Sequence, residues 1–403
     1  MLFMKQLWKN KIIVLLLLLT IGVGACQTSS QNNQWVGVAL AKAEQQALLM
    51  AKKMESMPDR LPRSATSEGE LVTSTSDWWC SGFFPGVLWY LYENNSNNEE
   101  LLNYATRMTN RLSKEQYNKT THDLGFMLYC SYGNALRLAE TDTCRNVLLN
   151  GASSLSTRYD SIVKCIKSWE EWYEYNYPVI IDNMMNLEML MWAYKESGNE
   201  TFRDIAVSHA NTTLVNHFRP DNSSYHVVAY DLKTGAVRFQ GTDQGFSDDS
   251  SWARGQAWGL YGYTMMYRET GDSIYLDQAH RIARFILDHP RLPADKIPYW
   301  DFDSPKIPDD YRDSSAAAVI ASALLELSKY SEEADKKEYF DVAEKQLRTL
   351  ASPEYTAGIG TNTYFILKHG VGNIPQNSEI DLPLSYGDYY YVEALLRYKN
   401  YNK

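Results

Sequence analysis

The chain has 403 residues and a formal net charge of −10. This acidic balance argues against nucleic-acid binding through a general positive field, so an acidic ligand would need a local cationic pocket. Apart from Cys26, the cysteines show no CxxC or Cys/His spacing typical of zinc, and we expect neither a metal nor another cofactor. The remaining cysteines, which we expect to be buried free thiols with a disulfide as the alternative, are Cys80, Cys130, Cys144 and Cys165.

Residues 1–25 have the pattern of a bacterial lipoprotein signal peptide. Three lysines precede an apolar run from Ile12 to Val23, which is too short to span a bilayer. Shortly after this run comes Cys26, which we expect to be the acylated first residue of the mature protein, with ordinary signal cleavage as the alternative. Residues 26–35 form a polar tether. The sequence therefore predicts an exported, periplasmic protein that is lipid-anchored to a bacterial membrane.

The rest of the chain, residues 36–403, contains no Pro/Gly/Ser-rich linker or charge block, and we expect one domain. Amphipathic and more apolar segments alternate along it, both with helical periodicity. The six amphipathic segments are 36–57, 98–116, 143–159, 200–217, 274–289 and 333–350. The six apolar segments are 86–93, 124–139, 183–196, 251–270, 314–329 and 388–398. Strand-like alternation is found chiefly in residues 225–239, where we expect a small β-hairpin.

A weak internal repeat supports an arrangement of helical hairpins. Residues 193–199 resemble residues 266–272, and each copy has a glycine, Gly198 or Gly271, where a helix ends in a left-handed residue. A looser copy near Tyr90 has asparagine instead. Repeated hairpins bury their apolar helices by stacking, so we expect an all-α fold, an (α/α)6 barrel of six hairpins with the apolar helices inside. An open helical solenoid is the alternative.

The loops that enter the apolar segments are rich in functional side chains. Helix caps require only Ser, Asp or Asn, yet these loops also carry Trp79, His122, Gln244, Arg254 and Trp258. A tryptophan offers a sugar ring an apolar platform with a polar edge. An arginine offers a carboxylate a planar, two-pronged donor. Because such loops share one end of a ring of hairpins, we expect these side chains to lie together there.

Five motifs follow one another along the chain. They are W-x-S-G-F-x-P-G at residues 79–86, H-D-L-G-F at 122–126, I-D-N-M-M-N-L at 181–187, Q-G-F-x-D-D-S-x-W-A-R-G-Q-A-W at 244–258 and G-D-Y-Y at 387–390. In this order they resemble the family of unsaturated glucuronyl hydrolases, glycoside hydrolase family 88, along most of the chain. The resemblance implies an (α/α)6 barrel. It also implies a substrate made by polysaccharide lyases, an oligosaccharide that ends in a 4,5-unsaturated uronic acid.

The resemblance further implies a mechanism that differs from ordinary glycosidic displacement. A carboxylic acid protonates C4 of the double bond, water adds at C5, and the resulting hemiketal opens to expel the leaving sugar. The rule that reads retention or inversion from carboxylate separation then does not apply. Asp182 matches the general acid/base of the family and Asp123 its second acidic residue, with helix caps as the alternative for both. A helix N-terminus favours the Asp182 anion, whereas burial and repulsion from Asp123 raise its pKa, and we expect the latter effects to prevail.

By the same resemblance, six side chains line the site of the terminal sugar: Trp79, His122, His226, Gln244, Arg254 and Trp258. A further tryptophan before Asp182 is expected there, for which Trp169 is preferred to Trp172. The alternative for His226 is a polar residue of the predicted hairpin with no role in the site.

We therefore expect a monomeric or dimeric enzyme that removes the unsaturated uronic acid from glycosaminoglycan fragments. The alternatives are an unsaturated rhamnogalacturonyl hydrolase that acts on pectin fragments and a catalytically inactive sugar-binding toroid. The identity and sulfation of the leaving sugar stay open. Residues 369–396 contain no Lys or Arg, so we do not expect a sulfate pocket built from the loop before the last helix. Arg312 is a candidate cation from elsewhere.

Overall fold

The computed structural model describes residues 34–401 of the chain. The predicted signal peptide and the acylation of Cys26 lie outside the described residues. Twelve α-helices alternate between an outer and an inner layer within that range. They are α1 Gln34–Lys53, α2 Phe83–Asn94, α3 Glu99–Asn110, α4 Asn134–Ala139, α5 Asp142–Ser156, α6 Leu187–Ser197, α7 Glu200–Asn216, α8 Ala253–Thr270, α9 Ser273–Asp288, α10 Ser314–Leu327, α11 Glu333–Leu350 and α12 Ser385–Lys399. The odd-numbered helices are outer and the even-numbered helices inner.

The inner helices close into a ring. α2 packs against α12 and against the segment that precedes α4, α8 packs against α6 and α10, and α10 packs against α12. Every residue of the inner helix α10 is buried, whereas the outer helix α3 buries one face, formed by Leu101, Tyr104, Ala105 and Met108 among others. The predicted (α/α)6 barrel is therefore confirmed. An open solenoid is excluded because the first and last inner helices touch.

The two predicted glycine C-caps are confirmed. Gly198 and Gly271 have φ values of +71° and +73°, the left-handed conformation that glycine adopts without a steric penalty. Asn95, in the looser copy of the repeat, has φ −136°, so α2 ends without a left-handed residue. The side chains of Asn199 and Asp272 then accept backbone N–H groups in the first turns of α7 and α9. The repeat thus encodes a complete connection from an inner to an outer helix.

The two segments that carry the acidic residues are not regular α-helices. Gly125–Gly133 forms a π-helix that continues into α4, and Ile181–Asn186 forms a 3-10 helix that leads into α6. Asp182 lies in the first turn of this 3-10 helix, and no described side chain caps that turn. The helix-cap alternative for Asp182 is therefore wrong. Helical periodicity in a sequence does not separate α, π and 3-10 winding over one or two turns.

Short strands decorate the barrel. They are β1 Leu61–Ala65, β2 Leu71–Ser74, β3 Tyr159–Asp160, β4 Cys165–Ile166, β5 Pro178–Ile180, β6 Val227–Tyr230, β7 Val237–Gly241, β8 Gly370–Asn373 and β9 Ser378–Leu382. The predicted hairpin is confirmed as β6–β7, and β5 pairs with β6 to make a three-stranded sheet. The other antiparallel pairs, β1–β2, β3–β4 and β8–β9, escape sequence prediction because strands this short show little periodicity.

A network of charges, buried at Glu326 and Glu393 and half-buried elsewhere, links four inner helices. Arg268 of α8 forms ion pairs with Glu188 of α6 and with Glu326 of α10, the latter at 2.7 Å. Arg397 of α12 binds the other oxygen of Glu326 at 2.7 Å and Glu393 of its own helix at 3.4 Å. Each arginine therefore connects neighbouring inner helices, and each carboxylate has a cationic partner, as charges removed from water require.

The four described cysteines carry free thiols, three of them buried and Cys144 half-buried. The expected free thiols are thus confirmed in place of a disulfide. No helix within residues 34–401 is long and apolar enough to serve as a membrane span.

The packing between α2 and the π-helix can be tested at Gly82, where a Cβ would overlap the carbonyl oxygens of Phe126 and Met127. We expect Gly82→Ala to lower the free energy of unfolding by about 1–3 kcal/mol, because overpacking forces the inner segments apart. Gly37 of α1 has open space around it, so Gly37→Ala is the control and should raise stability by about 0.5–1 kcal/mol. Thermal unfolding measures both changes. Equal melting temperatures for the two variants would contradict the tight contact.

Candidate active site

The segments that carry the two acidic residues are docked directly onto each other. Asn186 Oδ1 accepts the backbone N–H of Phe126 at 2.9 Å. A Cβ on Gly125 would lie 2.6 Å from the Asn186 Cα, so only glycine permits this approach of the two backbones. Asp123 comes shortly before Gly125 in the chain, and Asp182 comes shortly before Asn186. The contact therefore fixes the two segments that carry the carboxyl groups relative to each other.

Asp182 is buried, and its surroundings offset only part of the cost of a buried charge. It is 7% exposed, and within the described residues its Oδ2 has no hydrogen-bond partner. Burial raises the pKa of this carboxyl to about 7, while the positive charge of Arg254 opposes the rise and the negative charge of Asp123 adds to it. The Trp258 indole also acts to lower this pKa. At neutral pH a large share of Asp182 therefore holds its proton, as the sequence analysis expects.

His226 presents a neutral ring N–H to Asp182. Its Nδ1 accepts the backbone N–H groups of Asp243 and Gln244 at 3.1 and 3.2 Å, so the ring proton lies on Nε2. That Nε2 atom is 3.6 Å from Asp182 Oδ2. Burial, helped by the charge of Arg254, holds the pKa of His226 well below its ordinary value. His226 is therefore a neutral donor beside the acid and belongs to the site, not only to the hairpin.

Asp123 has a hydrogen-bond donor at one oxygen and a histidine close to the other. The Thr121 hydroxyl donates to Oδ2 at 2.7 Å, whereas His122 Nε2 lies 3.2 Å from Oδ1 without forming a hydrogen bond within the described residues. The Ser168 hydroxyl accepts the Ile180 N–H at 2.9 Å and lies 3.2 Å from His122 Nδ1, which fixes the position of the ring. Burial lowers the pKa of His122. Both neighbours of the Asp123 carboxylate are side chains, so Asp123 is not a helix cap.

A cavity of about 400 Å³ lies beside the N-terminal ends of α2, α8 and α12. Its walls include Trp79, Trp169, Trp172, Gln244, Arg254 and Tyr386. Neither acidic residue is among the lining residues, but the Trp169 ring of the wall lies 6.0 Å from the His226 ring, and His226 lies beside Asp182. The structure thus brings the predicted loops together at one end of the barrel.

Both candidate tryptophans before Asp182 reach the cavity wall, but they differ in their contacts. Trp169 is half-buried and contacts His226. Trp172 is buried, its Nε1 donates to Asp243 at 3.1 Å, and its ring packs against Phe239. The ring of Trp169 is the freer one, which supports the preference for it as a sugar platform.

The guanidinium of Arg254 is occupied by protein acceptors. Nη1 contacts Asp313 Oδ2 at 3.2 Å and the Val371 carbonyl, while Nη2 donates to Gln244 Oε1 at 2.8 Å and to the Gly372 carbonyl at 2.7 Å. The two-pronged donor that the sequence predicts for a sugar carboxylate is therefore engaged within the protein. A carboxylate that enters the cavity would meet the positive charge of Arg254 and would reach Nη2 by displacing Gln244.

Three predicted cavity residues, His122, His226 and Trp258, lie behind the wall. Trp258 is fully buried, and its indole faces Asp182, although its Nε1 has no hydrogen-bond partner of normal geometry within the described residues. Its ring packs against Phe126 at 5.2 Å, so it supports the catalytic segment and offers a sugar no platform. His122 is likewise buried at 1% exposure and acts through Asp123. Arg312, the candidate cation, is held by Asp295 and the Ile297 carbonyl and is not among the residues of the cavity wall.

Several residues of the site escape the sequence analysis. Asn186 lies within the I-D-N-M-M-N-L motif, and Thr121 directly precedes the H-D-L-G-F motif. Their positions beside the two acidic residues could therefore have marked them as candidates. Ser168 and Arg63 lie outside every motif, and only the fold brings them to the site. Asp388, in the G-D-Y-Y motif, accepts the N–H groups of residues 366 and 367 at 2.8 and 2.7 Å and holds a loop against α12.

The fold and the pair of carboxyl groups beside a tryptophan-walled cavity define a glycosidase built on a helical barrel. The family model described as Glycosyl Hydrolase Family 88 matches residues 49–403, and the chain belongs to this family.

Individual relatives agree over nearly the full length. An unsaturated glucuronyl hydrolase of Formosa agariphila is 42% identical, over 96% of this chain and 98% of that protein. The crystal structure of an unsaturated glucuronyl hydrolase specific for heparin superposes with a TM-score of 0.88 at 49% identity, covering 91% of this chain and 98% of that one. A mutant unsaturated glucuronyl hydrolase from Streptococcus agalactiae, complexed with dGlcA-GalNAc6S, superposes with a TM-score of 0.75 at 30% identity, covering 91% of this chain and 92% of that one.

The burial of Asp182 predicts a stability effect with a defined sign. Its pKa is about 7 when folded and near the ordinary value when unfolded, so the folded state binds more protons between these values and loses stability as the pH rises through them. Asp182→Asn removes this penalty, and we expect a variant more stable than wild type at pH 8 by on the order of 2 kcal/mol, with the gain shrinking toward pH 4.

Asp388 is the matched control. Burial raises its pKa to about 7 as well, but its carboxylate accepts two backbone N–H groups. Asp388→Asn leaves one of them without an acceptor and should destabilise the protein by about 1–3 kcal/mol. Chemical denaturation at pH 5 and pH 8 measures both variants. Loss of stability in Asp182→Asn at pH 8 would show that the buried carboxylate has partners that satisfy it.

Proposed function

We propose that the chain is an unsaturated glucuronyl hydrolase. It removes the 4,5-unsaturated uronic acid from the non-reducing end of lyase-generated glycosaminoglycan oligosaccharides by hydrating the C4=C5 double bond. The observation that carries this proposal is Asp182, a buried carboxyl that holds a proton near neutral pH and lies, through His226, next to Trp169 of a cavity walled by tryptophans. Membership of the family and the names of its relatives support the same function.

In the first step, Asp182 acts as the general acid. The unsaturated sugar stacks on Trp169 with its double bond toward Asp182, and the carboxyl proton passes to C4. Positive charge then develops at C5 and is shared with the ring oxygen. The negative charge of Asp123, which also raises the pKa of Asp182, favours this cation. The neutral N–H of His226 stabilises the Asp182 carboxylate as its proton leaves.

In the second step, Asp182 acts as the general base. Water adds to C5 and gives its proton to the Asp182 carboxylate, which restores the starting state of the enzyme. The hemiketal at C5 opens to a ketone, and the ring oxygen passes to C1 as a hemiacetal. Collapse of this hemiacetal releases the leaving sugar as an alcohol. In this sequence of steps, no nucleophile attacks the anomeric carbon.

The alternatives are less well supported. The relatives reported above carry the names of enzymes for glucuronyl substrates, which favours glycosaminoglycan fragments over pectin fragments. Burial of an acid with a raised pKa near a second carboxylate costs stability, and an inactive sugar-binding toroid gains nothing in return for that cost.

Transfer of the proton to carbon predicts where solvent hydrogen appears. We expect a reaction in deuterated water to place deuterium at C4 of the product, whereas an ordinary glycosidase protonates only the leaving oxygen. A saturated glucuronide of the same linkage should bind without turnover, because it lacks the proton acceptor. Mass spectrometry of the product checks the first expectation, and release of the leaving sugar checks the second.

The control for this experiment is Asp182→Asn, which keeps the shape of the side chain and loses the acid. It should slow the loss of ultraviolet absorbance of the unsaturated sugar by about 10²–10⁴-fold. Product without deuterium on carbon, or efficient cleavage of the saturated glucuronide, would overturn the hydration mechanism.

We also propose that the protein is exported to the periplasm and lipid-anchored at Cys26. The lysine-rich start, the short apolar run and the Val23-Gly24-Ala25-Cys26 sequence support this location. Cells that express the full chain with labelled palmitate should yield a labelled protein, and Cys26→Ser should abolish the label because serine provides no thiol for acylation. Unlabelled wild-type protein would refute the anchor.

A further inference from the structure

The cavity has a second arginine, supplied by a hairpin outside the helical barrel. Arg63 of β1 lies on the same wall as Trp79 and Arg254. Its side chain is 26% exposed, compared with 2% for Arg254. Arg63 therefore belongs to the outer part of the cavity, whereas Arg254 lies at its deep end near Asp182.

Two contacts fix the orientation of Arg63. Its Nε donates to Glu379 Oε1 of β9 at 2.6 Å, and its guanidinium carbon lies 4.3 Å from the centre of the Trp78 ring. The first contact sets the direction of the guanidinium and the second sets its plane. Glu379 has a left-handed backbone with φ +54°, which a glutamate rarely adopts. The fold thus accepts backbone strain at the residue that holds Arg63.

These contacts leave the terminal nitrogens of Arg63 available. Among residues 34–401, only Nε of this side chain has a hydrogen-bonding partner. In Arg254, by contrast, both terminal nitrogens have protein acceptors. The edge formed by Nη1 and Nη2 of Arg63 is therefore a pre-oriented, unoccupied pair of donors, the geometry that suits a carboxylate or a sulfate.

We propose that Arg63 is a specificity-determining residue that binds one anionic substituent, a sulfate ester or a carboxylate, on the leaving sugar. The inference rests on the proposed function. The unsaturated sugar occupies the deep end, where Trp169 and Arg254 line the cavity next to Asp182, so the sugar attached to it extends toward the outer wall that carries Arg63.

The other charges of the wall limit the number of anionic groups. Glu171, Asp243 and Glu379 are carboxylates on the same wall. Asp243 accepts hydrogen bonds from Trp172 and Gln376, both at 3.1 Å, and Glu379 is paired with Arg63. Their negative potential opposes a second anionic group that has no cation of its own. The site therefore favours a leaving sugar with one anionic group over one with two.

The experiment measures kcat/KM of the purified enzyme on a set of unsaturated disaccharides. The leaving sugar is uncharged, singly sulfated at each available position, doubly sulfated, or carboxylated without sulfate. We expect wild type to prefer at least one singly charged disaccharide over the uncharged one, and Arg63→Gln to reduce that ratio by about tenfold. Because each ratio is taken within one variant, a smaller folded fraction cancels. The sulfated and carboxylated arms distinguish the two kinds of anion.

Two further variants separate recognition from damage. Glu379→Gln keeps an acceptor for Arg63 Nε and removes a negative charge, so it should raise the same ratio. Arg238, whose side chain is 61% exposed and pairs with Asp231, is the matched control, and Arg238→Gln should leave the ratio unchanged. General damage to the cavity cannot move the ratio in opposite directions at Arg63 and Glu379.

An unchanged ratio in Arg63→Gln would overturn the inference, as would a wild-type enzyme that prefers the uncharged disaccharide to every singly charged one. Either result leaves the proposed function intact. If no unsaturated disaccharide of the set is cleaved, the proposed function itself fails.

Discussion

The two acidic residues lie on different inner segments, and one close backbone contact sets their separation. Gly125 meets Asn186 where a side chain on the glycine would collide with the Asn186 backbone, and Asn186 also accepts the Phe126 N–H. The Phe126 N–H, one of the first donors of the π-helix, thus finds its acceptor on the neighbouring segment. The same docking places Asp123 close enough for its charge to raise the pKa of Asp182.

The two carboxyl groups differ in their hydrogen-bonding partners. Asp123 accepts the Thr121 hydroxyl and lies beside His122, whereas Asp182 Oδ2 has no hydrogen-bond partner among the described residues. A buried carboxyl in this condition destabilises the folded state above its unfolded pKa. The large core of the barrel, with every residue of α10 buried, provides the surplus of stability that tolerates it. Functional sites commonly hold such unfavourable groups in place through the surrounding structure.

The sequence predicts the helices well and the contacts between distant segments poorly. The outer helix predicted at residues 333–350 is found at Glu333–Leu350, because a long amphipathic period leaves little choice. Arg254 and Trp258 are four residues apart in α8 and so share one helix face, but this spacing does not indicate depth, and Trp258 is fully buried. The acceptors of Arg254 at Val371 and Gly372 are 117 and 118 residues away. Arg63 lies on a five-residue strand whose position depends on pairing that no local pattern encodes.

The charge network at Arg268 and Arg397 has a consequence for how this barrel can evolve. A slide of one inner helix by one turn, about 5.4 Å, would separate Glu326 from both arginines and leave charges buried without partners, at a cost of several kcal/mol. Helix register is thus locked by residues distant from the acidic pair. Mutations that lengthen, shorten or recharge the hairpins around the cavity do not disturb that lock. Descendants of one ancestral barrel can therefore acquire different leaving-sugar preferences by exchanging short surface hairpins such as β1–β2, while the acid and its neighbours stay in alignment.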